Sequence, residues 1–114
     1  MLRVKHELVK DKDGRIIYRV YTPGGRRHYN IRLFITGEPP EGLTITRVQY
    51  QLHPTFKKQI REGNSAKEWE EYIWTWGMFT LTAKIEFSDG SAKEIRYRLE
   101  YDLPKDDGEN YVQQ

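Results

Sequence analysis

Apolar and polar residues alternate with period two along most of this chain, and that alternation restricts the fold more than any other feature. It is clearest in Phe79, Leu81, Ala83, Ile85 and Phe87, which interleave with polar residues. Ser88-Asp89-Gly90-Ser91 follows as a turn, and Ile95, Tyr97, Leu99, Tyr101 and Leu103 return with the same parity. A strand of this kind buries one face and solvates the other. Each buried side chain contributes about 1.5–3 kcal/mol before entropy is counted. This hairpin is the expected spine of the core.

The same period runs upstream. Leu2, Val4, His6 and Leu8 form a first expected strand, Asp11-Lys12-Asp13-Gly14 a turn, and Ile16, Tyr18 and Val20 the return. Thr22-Pro23-Gly24-Gly25-Arg26-Arg27 breaks the pattern as a loop, and Tyr29 to Ile35 resumes it. Leu43 and Ile45 differ in parity from Val48, Tyr50 and Leu52, so a bulge is expected near Thr46-Arg47. Residues 57–65 read as loop. Residues 66–74 permit a short helix capped by Ser65, but the aromatic residues favour strand over the second half. The sum is an all-β, immunoglobulin-like antiparallel β-sandwich of about seven to eight strands. One domain spans 1–104, and a polar tail over 105–114 is expected to fray.

Composition narrows the function classes. A chain of 114 residues with net charge +2 lacks the basic bias typical of nucleic-acid binding. No apolar run approaches a membrane span, and a cytoplasmic protein is the expectation. With no cysteine there are no disulfides, thiolate metal sites or thiol nucleophiles. No G-x-S-x-G motif, phosphate-binding glycine loop or metal-ligand spacing occurs, so neither catalysis nor a cofactor is expected.

Two segments stand out. Leu52-His53-Pro54-Thr55-Phe56 leaves one expected strand, and Thr75-Trp76-Gly77-Met78-Phe79 enters another. If the fold joins them, Phe56 and Trp76 become the walls of a slot. Thr55 and main-chain N–H groups near Trp76 would supply its polar contacts. Such a slot suits a flat, neutral amide. Plainer roles exist for each residue. His53 can be a structural hydrogen bonder, Trp76 a core plug and Phe56 a lone surface aromatic. Tyr72, Trp74 and Trp76 can be a stripe on a sheet.

Val48-x-Tyr50-x-Leu52-His53-Pro54-Thr55-Phe56, followed by Trp76-Gly77-Met78-Phe79 and Ile85-x-Phe87, resembles a YEATS domain, over roughly Val4 to Leu103. The resemblance implies an immunoglobulin-like sandwich that reads acylated lysine. Phe56 and Trp76 would be its ring walls. The Thr55 hydroxyl and the Trp76 backbone N–H would contact the acyl amide, and His53 would shape the pocket. Thr75 stands where the family has a glycine, which would narrow one side. His28 or Arg27 replaces a further aromatic. These departures are similar to the prokaryotic branch, for which a histone partner is not implied. The expected ligand is an acylated-lysine peptide or protein, bound near His28, His53, Thr55, Phe56, Thr75, Trp76 and Gly77. The competing reading is a protein-interaction, scaffold or regulatory domain of a larger signalling or defence protein, with no acyl-lysine binding.

Overall fold

A computed structural model describes all 114 residues and contains nine strands and no helix. The strands are β1 (Arg3–Leu8), β2 (Ile16–Arg19), β3 (His28–Thr36), β4 (Ile45–Gln51), β5 (Ile60–Glu62), β6 (Glu71–Thr75), β7 (Phe79–Phe87), β8 (Ala92–Leu99) and β9 (Tyr111–Gln113). They form two sheets. In the first, β3 carries β6 along one side, while β1 and β2 share the other, and β9 adds to β2. The second runs β5-β4-β7-β8.

The alternation becomes the core. Ile31, Leu33 and Ile35 of β3 and Ile73 of β6 face Val48 and Tyr50 of β4 and Leu81, Ala83 and Ile85 of β7, all buried. The expected bulge is present: pairing with β7 shifts between Ile45 and Arg47, which turns Val48 and Tyr50 inward.

Two segments differ from expectation, and a third resolves as read. Ile60–Glu62, read as loop, is an edge strand paired with Gln49–Gln51. Its Ile60 is exposed, so no apolar alternation marks it; ladder bonds and the contact of Glu62 with Arg47 and Gln49 hold it. In 66–74 the second half is strand, as the aromatic residues indicated. The first half is a turn in which Glu68 and Trp69 both take left-handed backbone angles (φ 56° and 60°). The tail does not fray: its end pairs in parallel with β2, Ile16 opposite Tyr111.

The left-handed turn before β6 ties the two sheets together. The Glu68 carbonyl accepts the Ile35 N–H (3.0 Å), and the Trp69 carbonyl accepts the Tyr50 hydroxyl (2.7 Å). A Cβ on Gly63 would lie 2.5 Å from that same carbonyl, so only glycine lets β5 exit so close. Arg32 completes the turn by donating to Glu70 (2.7 Å), Glu68 (3.0 Å) and Glu7 (3.2 Å).

Candidate functional site

The two segments singled out above end at one cleft of about 780 Å³ at one end of the sandwich. His28, His53, Thr55, Phe56, Thr75, Trp76 and Gly77 all line it.

The first wall begins where β4 ends. Leu52 is buried and anchors the exit; its N–H bonds to the Gln59 carbonyl (2.8 Å). The next residues form a tight turn, with the Phe56 N–H on the His53 carbonyl (3.0 Å). His53 Nδ1 accepts the Thr55 backbone N–H (3.2 Å) and lies 2.9 Å from the Thr55 hydroxyl. A nitrogen that accepts a backbone N–H carries no proton, so the hydroxyl donates to it. The lone pairs of Thr55 Oγ1 are thereby left to accept from a ligand. Phe56 is half-buried, tilted against Phe79 at 5.3 Å, with His53 edge-on to the same ring at 6.4 Å. Phe56 is therefore seated on the core and is not a lone surface ring.

The opposite wall comes from the end of β6. Period two buries Ile73 and Thr75 and turns Trp74 and Trp76 outward. The Thr75 hydroxyl donates to the Gly77 carbonyl (3.1 Å) and accepts the Gly77 N–H (3.3 Å). The Tyr101 hydroxyl donates to the same carbonyl (3.2 Å); burial raises its pKa and keeps the proton in place. The threonine expected to narrow the slot thus spends its hydroxyl on the loop backbone. The Trp76 N–H bonds to no loop carbonyl and to no side chain. Trp76 is 53% exposed, which sets aside a core-plug role. The Arg26 guanidinium lies over the indole, 4.1 Å from its centroid. Trp76 and Phe56 line the same cleft and make no ring contact with each other.

His28 opens β3 at the rim. Its Nδ1 lies 3.1 Å from the Arg26 carbonyl, and the Tyr21 ring meets it edge-on at 4.8 Å. Arg27, the other residue considered at this position, is turned away onto Tyr18 (4.1 Å) and Asp106 (3.0 Å). Tyr21, Trp74, Met78, Phe79, Lys57 and Arg61 also line the cleft but were not among the expected site residues. Tyr21 precedes a loop with no periodicity, so nothing local marks it; Met78 and Phe79 belong to one of the two singled-out segments, and Trp74 to the aromatic stripe beside it. Every charged residue of the lining is cationic.

Two solved structures of the Yaf9 YEATS domain share this fold. The one recognising an H3K122suc peptide has TM-score 0.57 and 18% identity, covering 88% of this chain and 73% of that one. The one bound to H3K27ac has TM-score 0.56 and 18% identity, covering 93% and 77%. At that identity the likeness speaks for the immunoglobulin-like sandwich alone. No curated protein matches the chain. The family model of the prokaryotic YEATS domain matches residues 29–100, a span that contains both cleft-forming segments and the strands that carry them. The chain therefore belongs to the prokaryotic YEATS domain family.

Proposed function

We propose that the protein is a non-catalytic binding module that recognises an acylated lysine, or a similar amide-bearing group, in the cleft between Phe56 and Trp76. The observation that supports this reading is one cleft whose lining includes two aromatic rings, an unspent acceptor and an unspent donor. Thr55 Oγ1 can accept an amide N–H, and the Trp76 N–H can donate to an amide carbonyl. A buried amide with both partners avoids the penalty of about 1–3 kcal/mol for an unpaired polar group. An unmodified lysine would have to shed water from an ammonium ion beside Lys57 and Arg61, with no lining carboxylate to receive it. Family membership and the two Yaf9 structures, with their H3K122suc and H3K27ac ligands, support a modified peptide as the kind of partner.

Titration of acetyl-lysine and crotonyl-lysine peptides against the unmodified peptide tests the reading. Selective binding of the acylated forms is expected, and a net free energy of about 8 kcal/mol suffices for micromolar affinity. Equal or absent binding of all three would remove it. Exposure of Tyr21, Trp76 and Met78 at the same mouth favours a second reading, an aromatic edge that docks on a partner without an acyl group.

A further inference from the structure

Resting on the acyl-lysine reading, we propose that the modified lysine recognised here lies in an acidic segment, and that Arg26 and Arg19 receive the carboxylates beside it. Most arginines of this chain are neutralised internally: Arg15, Arg27, Arg32, Arg47, Arg61 and Arg98 each lie within 4 Å of a carboxylate. The two that lie over the indoles of the cleft are not. Arg26 lies over Trp76 and Arg19 over Trp74, each with its guanidinium carbon 4.1 Å from the ring centroid. Neither guanidinium donates a hydrogen bond or meets a carboxylate of the chain. Both indoles line the cleft.

Stacking fixes a guanidinium without using its donors. A guanidinium held over a ring keeps its N–H donors for a carboxylate, which it can grip at two points. Lys57 adds a third cation to the mouth, and it too lacks a carboxylate neighbour. Arg61 contributes less, because Glu71 lies 3.8 Å from it. The cations of the mouth therefore face outward onto whatever enters. A peptide that places lysine or arginine beside the acylated residue would be repelled, and one that places glutamate or aspartate there would complete the pairs.

The test uses fluorescence anisotropy with the full chain and three labelled peptides. Each has one central acetyl-lysine, flanked on both sides by glutamate, glutamine or lysine. A glutamate-flanked peptide with unmodified lysine and a labelled single-stranded DNA oligomer complete the set. Glutamate flanks are expected to bind about tenfold tighter than lysine flanks at low salt. Half-molar salt should largely erase the difference. Arg26→Gln should narrow the preference for glutamate flanks, and the double change Arg19→Glu with Arg26→Glu should abolish or reverse it. Trp76→Ala should weaken all three. If the three flanks bind alike, or the double change Arg19→Glu with Arg26→Glu leaves the glutamate preference unchanged, the acidic target is wrong while the acyl-lysine reading stands. If acetylated and unmodified glutamate peptides bind alike, the acyl-lysine reading fails instead, and with it the proposal as stated. Tighter binding of DNA than of the glutamate-flanked peptide would also overturn the proposal.

Discussion

At the scale of single residues, the chemistry of the cleft turns on a proton. Because the Thr55 backbone N–H occupies His53 Nδ1, the Thr55 hydroxyl gives its hydrogen inward and keeps its lone pairs for a ligand. Thr55→Val should therefore lower acyl-peptide affinity about 5- to 30-fold, the equivalent of roughly 1–2 kcal/mol for one amide hydrogen bond. Thr55→Ser should restore most of it, as isothermal titration would record. Thr55 is exposed, so melting temperature should hardly move. His6 offers a different test. It is half-buried between β1 and β8, edge-on to Tyr97, and burial lowers its pKa from 6.5 against a smaller opposing hydrogen bond with the Glu100 main chain. The unfolded chain then takes up a proton before the folded one. This contribution to stability is complete above pH 6.5 and is lost as pH falls through that value toward the lower folded pKa. Melts between pH 7.5 and 5 should show a steeper decline for the natural chain than for His6→Gln.

At the scale of elements, what sequence reveals depends on length and burial. The β7–β8 hairpin was legible because nine and eight residues repeat one parity over a buried face. The bulge in β4 was legible because parity changes within one strand. Both cleft segments could be marked because aromatic and hydrogen-bonding residues concentrate at strand ends. β5 and β9 were not legible: each has three residues, and its place is decided by a neighbour's open ladder and not by its own pattern. β9 also gains from packing of Tyr111 against Tyr18 and Tyr29, at 6.5 and 6.2 Å, which are distant in sequence. Removing residues 105–114 takes away that packing, the pairing with β2 and the exposed Arg27–Asp106 ion pair. A cost of about 2 kcal/mol is expected, most of it from the cross-strand contacts and little from the ion pair. Thermal melts should show a drop of roughly 5–10 °C, with acyl-peptide affinity retained.

At the scale of the whole molecule, the sequence announced strands but not their partners. Alternation says which side chains turn inward; it does not say which strand adds to which sheet. That is decided by long-range closures such as the Tyr50 hydroxyl on the Trp69 carbonyl, from β4 of one sheet to the turn ahead of β6 of the other. Tyr50 is fully buried, and desolvation pushes its pKa upward, so the hydroxyl stays a donor. Tyr50→Phe should cost about 1–2 kcal/mol, because the carbonyl loses its partner in a dry place. Urea denaturation should give a lower midpoint with an unchanged slope.

The turn at Glu68 and Trp69 has a mechanical corollary. It rivets the near end of β6 to both layers, while Thr75, Gly77 and Tyr101 lash down the far end. Strand β6 is thus a rail fastened at both tips, and the Trp76 side of the cleft is held by the protein's own bonds. If the proposed ligand binds there, it would press on a wall already braced, and the side chains across from that wall would have to do the yielding.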